Sequence, residues 1–131
     1  MKHTDYAFTK IVALSYEQAI EKVSEELKNE GFGVLTEIDV KTTLKKKLDV
    51  DFKPYKILGA CNPSLAYQAL QSEEQIGLML PCNVIVYVNA SNQTVVAAVD
   101  PIASMQAIEN DKLEEVAQVV QDKLKTVIKN V

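Results

Sequence analysis

The chain contains no arginine and no tryptophan, and all fourteen of its basic residues are lysine. Without a guanidinium it has no planar fork to grip phosphate, carboxylate or guanine through two parallel hydrogen bonds. Its net charge is −4, so it also lacks the positive footprint of a dedicated nucleic-acid binder, and no nucleic-acid partner is expected. Histidine occurs once, as His3, in a terminus expected to fray. That shortage argues against hydrolase chemistry, because neither a Cys–His nor a Ser–His–Asp pairing has a well-placed base.

Long apolar runs are missing too. None approaches the roughly 20 residues that span a bilayer, and the start Met1-Lys2-His3-Thr4-Asp5 lacks the apolar stretch of a signal peptide. A cytoplasmic protein without a membrane partner is therefore expected. Cysteine appears only as Cys61 and Cys82, too few for a secreted disulfide scaffold and in keeping with reduced thiols. Gly31 and Gly33 follow a helical pattern rather than a strand, so they read as a cap and a turn and not as a phosphate loop. No repeat, low-complexity stretch or Pro/Gly/Ser-rich linker divides the chain, and residues 1–131 read as a single domain able to bury a core without disulfides or metals.

What is present alternates quickly between strand and helix patterns, the mark of an α+β domain. Residues 4–12 place Ala7, Thr9 and Ile11 on one face and Tyr6, Phe8 and Lys10 on the other, as a strand does. Ser15 and Gln18 form a capping box that opens a helix with the stripe Tyr16, Ala19, Ile20, Val23 and Leu27, and Gly31 ends it. Phe32 to Val40 reads as a second strand. Val40, Leu44 and Leu48 are then four apart among Lys41, Lys45, Lys46 and Lys47, which predicts a short amphipathic surface helix. The lysines read as its solvated face rather than as an anion site.

Lys53 to Ala60 is the third predicted strand. Asn62 suits the N-cap of the helix that follows, and Pro63 suits its first turn because it has no N–H to leave unpaired. Ile76 to Val88 is nearly all apolar and is expected to be a buried strand broken or bulged at Pro81. A turn at Ala90 to Gln93 leads to the hairpin partner Thr94 to Val99, whose small and β-branched residues suit the middle of a sheet. Helix is expected around Ala103 to Ile108, and again from Asp111, with Glu114 completing a capping box and Leu113, Val116, Ala117, Val120, Leu124, Val127 and Ile128 on one stripe.

The candidate chemistry lies at the cysteines. Ala60-Cys61-Asn62-Pro63 and Leu80-Pro81-Cys82-Asn83 have similar settings, each at a strand end or break and each with asparagine after cysteine. Cys61 precedes a helix N-terminus, where unpaired N–H groups and the helix dipole favour thiolate over thiol. The functional reading is a ligand-binding or thiol-active site built from Cys61, Asn62, Pro63, Cys82 and Asn83. The competing reading is that both cysteines pack as small apolar residues. Their spacing is no metal motif, so no metal site or cofactor is assigned and the chain is not assigned to enzymes.

The segments Phe32 to Val40, Tyr55 to Pro63 and Leu80 to Val84 together resemble the signature of the family known as domain of unknown function 302, and the resemblance runs over nearly the whole chain. It implies an antiparallel sheet with helices packed on it in a TATA-binding-protein-like arrangement, and homodimers. No activity comes with it, and fold analogy does not bring DNA binding. Three functional expectations follow. The first is a small ligand-binding or thiol-active domain with paired cysteines at strand ends. The second is a non-catalytic homodimeric interaction module using an exposed sheet edge or face. The third is soft-metal or haem-type ligation across a dimer, which two cysteines support only if a dimer brings four together.

Overall fold

The computed structural model describes all 131 residues. The elements are β1 (Lys2–His3), β2 (Ala7–Val12), α1 (Tyr16–Asn29), β3 (Gly33–Asp39), α2 (Val40–Leu48), β4 (Tyr55–Cys61), α3 (Pro63–Ser72), β5 (Cys82–Val88), β6 (Thr94–Val99), α4 (Pro101–Ser104) and α5 (Asp111–Asn130), with a 3₁₀ segment at Glu74–Met79. All six strands join one antiparallel sheet in the order β1-β2-β6-β5-β4-β3. The α+β class is as the sequence patterns require.

Helix α1 shows how local sequence sets an element. Ser15 Oγ accepts from the Gln18 N–H at 3.1 Å while Gln18 Oε1 accepts from the Ser15 N–H at 3.1 Å, so two otherwise orphaned donors are satisfied. At its other end Gly31 takes φ 85°, a left-handed conformation that costs glycine nothing. The Phe32 N–H then donates to Leu27 O and the Gly31 N–H to Lys28 O, a Schellman closure. Between these ends Ala19, Val23 and Leu27 are fully buried.

Helices α1, α3 and α5 cover one face of the sheet. Along the strands the alternate row Phe8, Ala98, Val84, Leu58 is joined by register and buried beneath them, together with Val86 and Val96. Leu124 and Ile128 of α5 are fully buried against this row's cluster. Each such side chain contributes about 1.5–3 kcal/mol through removal from water, and truncating Leu124 to alanine would cost about 2–5 kcal/mol.

Several sequence expectations need correction. The Ile76–Val88 run does break at Pro81, as expected, but the part before the break is not strand: Glu74–Met79 forms a 3₁₀ segment, the Leu80–Pro81 peptide is cis, and β5 begins at Cys82. The cap of α5 is Asn110, whose Oδ1 accepts from the Leu113 N–H at 3.2 Å, so Asp111 and Glu114 do not form a capping box. The helix expected at Ala103–Ile108 is instead the four-residue α4, starting at Pro101, with Asp100 Oδ1 accepting from the Ile102 N–H. Nor is His3 frayed. It pairs in β1 with Phe8, lies 4.3 Å from the Phe8 ring between centroids, and bonds Asp100 through Nε2 at 2.9 Å.

Candidate functional site

Sequence reasoning pointed to five residues around two strand ends. Cys61 is the last residue of β4, half-buried, and Cys82 is the first of β5, buried. In the ladder Cys82 stands opposite Ala60 and Cys61 opposite Gly33, so the cysteines are not cross-strand partners, and both are free thiols. The expected paired-cysteine site is therefore not supported. Burial above all, with the Cys61 charge adding to it, pushes the Cys82 thiol up to about 11, the reverse of an activated nucleophile. Both residues border a cavity of only ~30 Å³ among apolar side chains such as Phe32, Leu65 and Val120, room for about one water and not for an organic ligand.

Asn62 and Pro63 have structural duties. Asn62 Oδ1 accepts from the Leu65 N–H at 3.3 Å, capping α3, while its Nδ2 donates to Glu30 O at 3.3 Å and ties that cap to the end of α1. Pro63 is the first residue of α3. No group of three His, Cys, Asp or Glu side chains is placed to hold a metal ion. Asn83 alone lies elsewhere: it pairs with Gly59 and is exposed, on the sheet face opposite the helices.

That second face is what the sequence reading missed. The register joins Tyr55, Tyr87, Val95 and Ile11 into one row, and Ile38, Ile57, Ile85, Ala97 and Thr9 into the next. Strand alternation turns these rows away from α1, α3 and α5. The rows are apolar almost throughout, yet they stand outside the core that α1, α3 and α5 cover. Val95 and Ala97 are nearly sealed at 3% and 5% exposure, but they stand outside the helix-covered core cluster. At the ends of the rows Ile11 is 56% and Ile38 47% exposed.

Aromatic rings gather at one end of this face. Tyr55 and Tyr87 stack with centroids 5.2 Å apart, and Lys53 Nζ lies 5.0 Å from the Tyr87 centroid. Burial raises the Tyr55 phenol, and the phenols of Tyr87 and Tyr6 stand near enough to raise it further. Thr36 and Pro81 close over Gly59, where an added Cβ would meet Pro81 Cγ at 2.8 Å and would clash with Thr36 Oγ1. The signal was legible in principle: β5 reads Cys-Asn-Val-Ile-Val-Tyr-Val and β6 Thr-Val-Val-Ala-Ala-Val. Apolar residues at successive positions mark strands covered on both faces.

A second polar cluster holds the opposite end. Asp100 is buried, and its carboxylate accepts from Gln121 Nε2 at 3.1 and 3.2 Å, from the Ile102 N–H and from His3. Burial opposes its ionisation, but the hydrogen bonds from His3, Gln121 and the backbone of Ile102 and Ala103 outweigh it and hold the carboxyl below the usual range. No buried side-chain polar atom in the molecule lacks a partner. No helix is long and apolar enough to cross a membrane.

No curated protein matches the chain. Among solved structures it is similar to an uncharacterized conserved DUF302 protein from Bacillus stearothermophilus, at 30% identity and a TM-score of 0.88, covering 95% of this chain and 96% of that one. Residues 8–131 match the family described as Domain of unknown function DUF302, the one that the segments around Cys61 and Cys82 resemble. This chain belongs to the DUF302 family.

Proposed function

We propose that this protein is a non-catalytic, homodimeric interaction module that self-associates through the face of its sheet that carries no helices. One observation carries the reading: two adjacent rows of apolar and tyrosine side chains, from Ile11 to Tyr55 and from Thr9 to Ile38, cross the sheet on the face that α1, α3 and α5 leave uncovered, with Ile11 and Ile38 exposed at their ends. A sheet normally buries both faces when both are apolar, and a second copy of the same face is the simplest cover. Tyrosine-rich, desolvated centres with few charges are typical of interface cores. We place the module in the cytoplasm, where unbridged thiols such as Cys61 and Cys82 stay reduced.

Sedimentation equilibrium on the full chain at micromolar concentration tests this. A dimer is expected, and Ile85→Lys, which puts an ammonium in the middle of the face, is expected to give a folded monomer. A wild-type monomer, or an Ile85→Lys dimer of unchanged affinity, would sink the reading.

A further inference from the structure

Between β6 and α5 the chain leaves a cavity of ~420 Å³, lined by Asp100–Ile108 on one side and by the first two turns of α5 on the other. The volume falls in the range of roughly 300–1,000 Å³ typical of small-molecule pockets, unlike the space beside Cys61 and Cys82. Its floor is apolar: Met105, Leu113 and Ala117 line it and are buried. Spacing on α5 explains how one helix builds both floor and rim. Leu113 and Ala117 are four apart and share the inward face, while their successors Glu114 and Gln118 repeat the spacing on the exposed side.

Every charged residue in the lining is a carboxylate: Asp5 from the turn before β2, Asp100 and Glu114, with no lysine beside them. On a chain of net charge −4 acidic surface alone would say little, but the hydrogen bonding says more. Asp100 is buried and both its oxygens are occupied, Oδ1 by the Ile102 N–H and Gln121 Nε2, Oδ2 by Gln121 Nε2 and His3. It therefore supplies negative potential rather than a contact. Gln118 Nε2 donates to Gln121 Oε1 at 3.1 Å and to Asp122 Oδ1 at 3.2 Å, which uses both its N–H groups and leaves Gln118 Oε1 as a free acceptor. Neither Asp5 nor Glu114 has an ion-pair partner. The rim thus combines negative charge with acceptors that lack donors.

We propose that this cavity binds a small organic ammonium, its charged head among Asp5, Glu114 and Gln118 Oε1 and its apolar body on Met105, Leu113 and Ala117. Charge and hydrogen bonding select the class. A carboxylate or phosphate ligand would meet three like charges and no lysine. A wholly apolar ligand would strip water from the rim acceptors and give them nothing in return. A bare metal ion finds no group of three ligating side chains in position. An ammonium on an aliphatic or aromatic body supplies positive charge and N–H donors to the rim and apolar surface to the floor. The rim carboxylates are exposed, so each adds little, and a ligand of this size is expected to bind with a Kd of about 1 mM. The cavity is bordered by α5, away from the sheet face of the dimer reading, so the two inferences stand or fall separately.

Three probes of one shape and different charge test this: phenethylammonium, phenethyl alcohol and hydrocinnamate, titrated into the full chain at fixed ionic strength and followed by amide NMR shifts. Phenethylammonium is expected to shift Met105, Leu113 and Ala117 saturably, about fivefold or more tighter than the alcohol, and the carboxylate not at all. The preference should shrink as salt is raised. Asp5→Asn/Glu114→Gln changes two exposed side chains and should keep the thermal midpoint while bringing the ammonium to within about twofold of the alcohol. The proposal is overturned if no probe saturates at these residues, if the alcohol or the carboxylate binds as tightly as the ammonium, or if the double variant keeps the full preference.

Discussion

Tyr55 on β4 and Tyr87 on β5 are opposite each other in the ladder, with rings 14° from parallel and centroids 5.2 Å apart. Cross-strand aromatic pairs of this kind are worth about 0.5–1.5 kcal/mol beyond the area they bury. In a double-mutant cycle of Tyr55→Leu and Tyr87→Leu, followed by urea unfolding, the coupling should fall in that range. A coupling near zero would mean that the stack is incidental to the fold.

Gly59 is the one glycine required by a close approach in the sheet. Its α-carbon lies beneath Pro81 and Thr36, both of which would have to move to admit a methyl group. Gly59→Ala should destabilise the protein by about 1–3 kcal/mol, the usual cost of overpacking a tight site. Adding Thr36→Ala removes the nearer obstruction but not Pro81, so it should recover part of the loss. Unchanged denaturation midpoints in Gly59→Ala would contradict the packing described.

Asp100 predicts the direction of an acid dependence. Its folded carboxyl is held below the ordinary 3.8, so the unfolded chain binds this proton more readily. The resulting stabilisation is present in full above the unfolded value and is lost as pH falls through the folded one. Asp100→Asn should be less stable than wild type near neutral pH, with the gap narrowing steadily in thermal melts taken below about pH 4. A gap that widens on acidification would show that the carboxylate is not stabilised by Gln121 and His3.

Cys82 should resist alkylation. Its thiol is buried and pushed up to about 11, so little thiolate exists at ordinary pH, and a reagent reaches it only by local opening. Mass spectrometry after brief exposure to iodoacetamide should show Cys82 unlabelled in the native protein and labelled in denaturant. Rapid native labelling would revive a thiol role at this strand end.

Local chemistry made much of the architecture legible in advance. The Ser15–Gln18 box, Gly31, Asn62 with Pro63, and the stripes of α1, α2 and α5 are short-range devices whose donors and acceptors lie within a few residues of one another. The same locality explains the errors. Asn110 competes with Asp111 for one helix end, and the choice rests partly on Asn110 Nδ2 donating to Ser72 O, 38 residues away. His3 looked frayed because the partner that orders it, Asp100, is 97 positions distant.

The sequence by itself determined which residues cap, turn and alternate, and hence the class of fold and the family. Only the tertiary structure decided that Cys61 and Cys82 would not be cross-strand partners, because strand register is a long-range property. It also decided that Ile11, Ile38, Ile57, Ile85, Tyr55 and Tyr87 would form one surface. Those six residues come from four strands, and no window of sequence holds the antiparallel pairing that brings them side by side.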